Sequence, residues 1–203
     1  HAFVDCHSLK SAFIPKTLLS LDNPFPGCKS LTGINVDPDN PNYKSRDGVL
    51  FSKNGELLVC YPSGKYSETY TIPGNVQYLD NFCFRFSNIK NLVFADAFDP
   101  KGFPDAPAFY YCDSIKTLTI GPKIKSLAPF GAWAAKGYGL EKLIVRNNEP
   151  PVLDTFLYNN EYASLMEVGK TQVIVPKNTG AKYRADSVWC KFESIDAGCK
   201  RAP

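Results

Sequence analysis

Histidine is almost missing from this chain: His1 and His7 are the only two in 203 residues. That scarcity removes most of the parts for acid–base or nucleophilic chemistry near neutral pH, where histidine is the usual proton carrier. His7 falls between Cys6 and Leu9 at a solvent-facing spacer position. Cys6 reads as pointing inward, with no third group to orient a Cys–His pair, so no nucleophile is expected there. No apolar run approaches the roughly 18 residues of a membrane-spanning helix. Charge of one sign is lacking too. The 23 basic and 20 acidic residues leave +3, scattered without a basic stripe, and no nucleic-acid partner is expected. Zinc-type C-x-x-C spacing is absent. The string PSGK at 62–65 lacks both the upstream glycine and the Ser or Thr of a phosphate loop. Asp37, Asp39, Asn42 and Asp47 lack the order and terminal Glu of a calcium loop and read as turn formers. Acidic residues such as Glu161 and Glu167 read as a solvated loop face, and there is no Asn-x-Ser/Thr glycosylation acceptor. No cofactor, no metal and no enzymatic activity are expected.

What the chain does have is repetition. An aromatic, then Cys or an aromatic three residues on, then Leu or Ile, then an apolar pair recur at fixed offsets: Phe25, Cys28, Leu31, Ile34, Val36, and again Phe109, Cys112, Ile115, Leu118, Ile120. Further copies read Phe3, Cys6, Leu9, Ala12, Ile14 and Cys83, Phe86, Ile89, Leu92, Phe94. A stretched copy runs Phe130, Trp133, Leu140, Leu143, Val145, and a partial one ends in Val173 and Val175. Periods of roughly 20–30 residues with an L-x-x-L-x-L core mark leucine-rich solenoids. A second pattern runs in phase with the first: Ile14, Leu18, Leu21, then Ile72, Val76, Leu79, then Ile120, Ile124, Leu127. Each copy predicts one coil. A short strand carries the apolar pair inward, Pro15, Pro73 or Pro122 turns the chain, and a second extended stretch crosses the back. No coil buries its own apolar edge, so stacking must supply the core.

The strings AFVDCHSLKSAFIP, GNVQYLDNFCF and CDSIKTLTIGPKIKSL resemble BspA-type leucine-rich repeat proteins. The stretch NPNYKSRDGVLFSKNGELLVCYPSGKYSETYTIP is similar to that family's interruption, in which a hairpin leads into the next Ile-Pro turn. VIVPKNTGAKYRADSVWCKFESI is similar to its C-terminal cap. The resemblance implies a secreted or surface-anchored protein engaged in adhesion to host matrix proteins or in cell–cell contact. Departures from the pattern are the exchange of aromatic and Cys at Cys83 and Phe86, Trp133 in place of Cys, and a stretch at Lys136 to Gly139.

The expected architecture is therefore a single mainly β leucine-rich repeat solenoid of stacked short parallel strands with few short helices, an inserted β-hairpin and a C-terminal cap. Repeats occupy 1–36, the hairpin insert 37–66, repeats with loop insertions 67–170, and the cap 171–203. Within the insert, VDPDNPNYKSRDG reads as a connector, and strands at Gly48–Phe51 and Glu56–Tyr61 are joined by Lys53-Asn54-Gly55, a strong hairpin signal. Residues 95–107 form a proline-rich loop and 147–170 an irregular excursion with a helical turn near 159–166. In the cap, a strand at 172–175 and a helix near 178–185 are followed by Trp189, Phe192 and Ile195 folding back over the last coil. The chain opens inside a repeat with no signal-peptide pattern, and the expectation is a piece of a longer protein whose signal and first repeats lie upstream. Seven cysteines cannot all pair within the chain. Cys6, Cys28 and Cys112 share one repeat position, where a free thiol packs as a small hydrophobe, although Cys6 and Cys28 are near enough in the stack to raise a disulfide. Cys60, Cys190 and Cys199 fall off that position.

The candidate binding surface is the outer face of the strands. The middle residue of each L-x-L points away from the core: Phe13, Asn35, Val93, Thr119, Ile144 and Ile174. Four of these six are apolar, more than a wholly solvated face needs, which predicts a binding stripe for a protein or peptide. The alternatives are that loops cover the row or that strand propensity alone placed those residues. A second candidate is the aromatic group Tyr110, Tyr111, Tyr158, Tyr162 and Trp133, which would suit a glycan if its rings are exposed and core packing if they are not. The expected function is a non-enzymatic extracellular or cell-surface module that binds a host or neighbouring-cell protein. A glycan-binding protein and a structural spacer are the alternatives, and membrane attachment would come only through an anchor outside this chain.

Overall fold

The apolar pairs form short strands that stack in parallel in two sheets. The structure is a computed structural model and describes residues 2–101, 108–127, 139–153 and 169–199. Strand β1 (Ser11–Ile14) pairs in parallel with β2 (Gly33–Val36), placing Ala12 beside Ile34 and Ile14 beside Val36. After an insert of β3 (Tyr43–Arg46), β4 (Val49–Ser52) and β5 (Leu57–Cys60), the solenoid resumes with β6 (Tyr66–Ile72). A back strand β7 (Tyr78–Leu79) and the front strands β8 (Asn88–Phe94), β9 (Thr117–Ile120), β10 (Lys142–Val145), β11 (Gln172–Pro176) and β12 (Ile195–Cys199) follow. β6, β8, β9, β10, β11 and β12 make one six-stranded parallel sheet. Its register aligns Tyr70, Leu92, Leu118, Leu143 and Val173. Leu92, Leu118, Leu143 and Val173 are fully buried or nearly so, and each such burial contributes about 1.5–3 kcal/mol. The second pattern is buried as well at Ile72, Val76, Leu79, Ile120, Ile124 and Leu127. Helix is confined among the described residues to α1 (Gly180–Ala185) and one 3-10 turn at Trp189–Lys191.

One four-residue turn opens the coils and explains the aromatic-to-Cys spacing. In it the N–H of the fourth residue donates to the carbonyl of the first: Cys6 to Phe3, Cys28 to Phe25, Cys112 to Phe109. The third residue is left-handed, with φ of 55° at Asp5, 79° at Gly27 and 57° at Tyr111. The fourth coil corrects the expected register. There the turn is Phe84 to Ser87, closed by Ser87 N–H to Phe84 O, with φ 58° at Phe86. Phe84 is fully buried and Phe86 only partly so. Hence Phe84 and Ser87, not Cys83 and Phe86, fill the aromatic and Cys slots. The coil reaches Ile89 two residues after its slot residue instead of three, a one-residue deletion that shifts the phase. Cys83, also buried, closes a separate turn back to Asp80.

The insert is a meander and not a lone hairpin. The stretch expected to be a connector contains β3, which pairs antiparallel with β4 across the two-residue turn Asp47-Gly48. Both turn residues have positive φ, 51° and 76°, as a type I′ hairpin requires. β4 then pairs with β5, and β5 with β7. Alternate residues of β4 enter different cores: Val49 and Phe51 join the large cluster of the C-terminal coils, and Leu50 joins that of the first coils. The meander is thus a wall between two cores, and its unbroken VLF and LLVC runs are what strands buried on both faces demand.

At the first coil Cys6 is exposed, which corrects the inward reading. Its equivalent Cys28 is fully buried in the cluster that includes Leu50, Val59 and Cys60 of the meander. Both thiols are free. Cys28 Sγ donates to Phe3 O at 2.9 Å. Cys60, placed off the ladder by its spacing, is buried with Cys28 in the same cluster. At the other end Trp189, Phe192 and Ile195 fold over the last coil, and β12 adds a final parallel strand to β11. Hydrogen bonds fasten this cap, among them Trp189 Nε1 to Pro151 O at 2.9 Å and Tyr183 OH to Asn147 O at 2.9 Å. Phe130, Trp133, the turn near 159–166 and residues 102–107 of the proline-rich loop lie outside the described residues.

Candidate functional site

The outward residues of the six-stranded sheet form a row in register: Thr71, Val93, Thr119, Ile144, Ile174. Val93, Ile144 and Ile174 are half-buried and Thr119 is only 4% exposed. Beside them runs a polar row of Thr69, Asn91, Thr117, Lys142 and Gln172. At its start Tyr66 OH donates to Glu68 Oε2 at 2.6 Å, and Lys90 Nζ lies 3.0 Å from Glu68 Oε1. The tyrosine hydrogen bond first, and Lys90 second, hold the Glu68 carboxyl below its ordinary range.

The six residues expected to make one stripe fall into two groups. Phe13 and Asn35 pair across β1 and β2, both exposed, Phe13 at 62%. Between them and Thr71 stands the tip of the β3–β4 hairpin. Ile34 N–H donates to Gly48 O at 2.9 Å, and Ser45 Oγ donates to Ile34 O. The hairpin thereby occupies the edge of β2 where β6 would otherwise stack, and β2 and β6 belong to separate sheets. A Cβ on Gly48 would stand 3.1 Å from Gly33 Cα, so the paired glycines set how closely the tip approaches β2. Beyond the tip opens a cleft of about 330 Å³ lined by Arg46, Asp47, Phe51, Tyr70, Thr71 and Pro73. Nothing in the local sequence signals this cleft, because it is made by the wedge of the hairpin and not by any repeat.

The aromatic candidates pack on one another. Phe86 and Tyr111, the left-handed residues of successive coils, stack at 4.9 Å with planes 2° apart, and Tyr110 meets Tyr111 edge-on at 4.3 Å. Lys29 Nζ sits 4.2 Å from the Phe86 ring centre and the Arg85 guanidinium 5.0 Å from it. Arg85 also reaches Asp5 at 3.4 Å. Tyr158, Tyr162 and Trp133, named with them in the sequence, lie outside the described residues, as do Glu161 and Glu167. His7 is exposed, and its Nδ1 donates to Gly27 O at 3.2 Å. The Asp- and Asn-rich stretch forms turns: Asp39 N–H donates to Asp37 Oδ1, and Asn40 Oδ1 accepts from the N–H groups of Asn42 and Tyr43. Among the described residues no group of three or more His, Cys, Asp or Glu is placed to hold a metal ion, and no helix is long and apolar enough to cross a membrane.

The model of the BspA type leucine rich repeat region matches residues 1–58 and 61–129, in six copies. No match is found among curated proteins. Among solved structures the chain is similar to a leucine rich cell surface protein from Faecalibacterium prausnitzii, at TM-score 0.53 and 17% identity over 96% of this chain and 52% of that one. It is also similar to a leucine-rich repeat protein from Eubacterium ventriosum (TM-score 0.48, 19% identity, 97% and 61%). The pneumococcal vaccine antigen PcpA is a further neighbour (TM-score 0.46, 18% identity, 95% and 56%). The chain spans between about half and three fifths of the length of these structures. Stacked parallel strands, the recurring turn and the matched repeats agree: this chain belongs to the BspA-type leucine-rich repeat family.

Proposed function

We propose that the chain is a non-enzymatic, extracellular binding module that engages a protein ligand through the outward face of its six-stranded sheet. One observation carries the reading. Val93, Thr119, Ile144 and Ile174 lie side by side in register on the sheet face opposite the Leu92–Val173 row; Val93, Ile144 and Ile174 are apolar and half-buried, and Thr119 between them is buried. A largely apolar row on a rigid sheet suits an extended protein segment, for which burial supplies affinity and the flanking polar row supplies register. The extracellular assignment draws on the surface location printed for the Faecalibacterium prausnitzii neighbour and on the family.

The test is a binding screen of the purified chain against immobilised matrix glycoproteins and a glycan panel, run beside Ile144→Glu/Ile174→Glu, with circular dichroism and melting curves confirming that the variant stays folded. Saturable protein binding that the variant loses supports the reading. Binding to glycans alone transfers the function to carbohydrate capture. Absence of binding to either panel leaves a structural spacer.

A further inference from the structure

The cleft under the hairpin tip is built unlike the rest of the surface. Arg46 ends β3 and is exposed, and its guanidinium makes no ion pair or hydrogen bond with any described residue. The Tyr70 ring is fixed edge-on between Tyr61, at 4.7 Å, and Phe84, at 6.0 Å. Its hydroxyl has no described partner, and Arg46 and Asp47 are near enough to act on its ionisation in opposite directions. β6 is the terminal strand of its sheet, and no backbone hydrogen bond joins residues 66–72 to the hairpin. Arg46, Tyr70 and Thr71 thus line one cleft at an open strand edge: Tyr70 comes from the core-facing row of β6 and Thr71 from the outward row, beside Val93, so the cleft meets the row at the edge of β6.

We propose that this cleft receives the C-terminal carboxylate of an extended peptide, with Arg46 as the ion-pair partner and the Tyr70 hydroxyl as a second donor. The inference rests on the sheet row being the ligand face. Guanidinium and carboxylate match as a two-pronged, charge-assisted pair. Asp47 narrows the choice of anion. Its negative charge beside Arg46 leaves the cleft near neutral, which tolerates a singly charged carboxylate and penalises a phosphate carrying nearly two charges. The row from Thr71 to Ile174 crosses four strand intervals, about 19 Å, or roughly six extended residues. The peptide is thus a short C-terminal segment with small or β-branched side chains over Val93, Ile144 and Ile174.

The experiment is a titration of the isotopically labelled chain, followed by amide and arginine side-chain NMR. The probes are N-acetylated hexapeptides of Val, Ile and Thr, each made with a free C-terminal carboxylate and as the C-terminal amide. The acids are expected to bind at least about tenfold more tightly than the amides, with shifts at Arg46, Tyr70 and Thr71 as well as along the row. Arg46→Gln and Tyr70→Phe, which leave the core rings in place, should each bring that ratio close to one. Equal affinity of acid and amide with shifts along the row overturns the cleft and leaves the ligand face standing. A carboxylate preference with shifts confined to the cleft keeps the carboxylate site and removes the ligand face. Absence of binding by either form overturns the proposal, as does binding of 3′-sialyllactose that Arg46→Gln abolishes while the peptides do not bind.

Discussion

Phe84 lies flat against Phe109, ring centres 4.9 Å apart and planes 7° apart. The same slot pairs Phe3 with Phe25 at 5.6 Å in the first coils. The thiol of each following coil points back to it: Cys112 Sγ donates to Phe84 O as Cys28 Sγ does to Phe3 O, both at 2.9 Å. Phe84→Ala should therefore cost about 3–5 kcal/mol, the range for a large ring removed from a packed core. Phe86→Ala removes a partly exposed ring and should cost about 1 kcal/mol. Urea denaturation of both variants checks the register, and the reverse order of losses would restore the phase read from spacing alone.

The repeats were legible because their side chains are forced. A coil that stacks must place Ile34, Leu92, Leu118, Leu143 and Val173 at one depth, and at that position β6 carries Tyr70, whose ring packs against the same core. The cap was legible for the same reason through Trp189 and Phe192. The phase of the fourth coil was not, because Cys83 and Phe86 are apolar at the expected three-residue spacing and a single deletion leaves the pattern superficially whole. β3 was hidden by the turn-forming Asp and Asn residues before it, although Asp47-Gly48 was itself a hairpin signal. Of the candidate site, each residue's outward direction followed from the two-residue period of a strand. The break between Asn35 and Thr71 did not, since it depends on where the hairpin docks.

Asn40 and Asn147 do the same work in different coils, and their unequal satisfaction makes a prediction. Asn40 Nδ2 donates to Pro15 O and Leu18 O, and its Oδ1 accepts two backbone N–H groups. Asn147 Nδ2 donates to Pro122 O and Ile124 O, but its buried Oδ1 has no partner among the described residues. At about 1 kcal/mol per net hydrogen bond, and with an orphaned oxygen costing a similar amount, Asn40→Ala should lose about 4 kcal/mol and Asn147→Ala about 1 kcal/mol. Equal losses in chemical denaturation would argue that the backbone carbonyls, and not the amides, set the cost.

Gly48 should tolerate no side chain. Its φ of 76° is left-handed, and a Cβ would meet Gly33 Cα at 3.1 Å. Left-handed strain alone costs about 1–2 kcal/mol, and relieving the contact must lift the hairpin from β2. Gly48→Ala should therefore lose at least that much stability. It should also raise hydrogen exchange at Ile34, whose N–H donates to Gly48 O. A stable variant with unchanged protection at Ile34 would show that the tip is not held by this contact.

The buried thiols tie stability to alkaline pH. Burial pushes Cys112 up to about 12 and raises Cys60 and Cys83 in the same direction, chiefly because a thiolate there would be stripped of water. Tyr70 and Tyr183 are raised for the same first reason. A group whose folded pKa lies above its unfolded value holds its proton in the native state while the unfolded chain releases it. Its contribution is complete below the ordinary thiol value of 9.0 and is lost as pH climbs from there towards 12. The melting temperature should therefore stay level to about pH 8.5 and fall steadily above it. Alkylation at pH 8, mapped by peptide mass spectrometry, should follow the same logic. Exposed Cys6 and Cys190 should react in the native protein. Cys60, Cys83 and Cys112 should react only at the rate of unfolding, since reagent and hydroxide alike must wait for the coils to part. Rapid native labelling of Cys112, or a melting temperature indifferent to pH between 8 and 11, would mean that the buried thiols are wetter than their burial indicates.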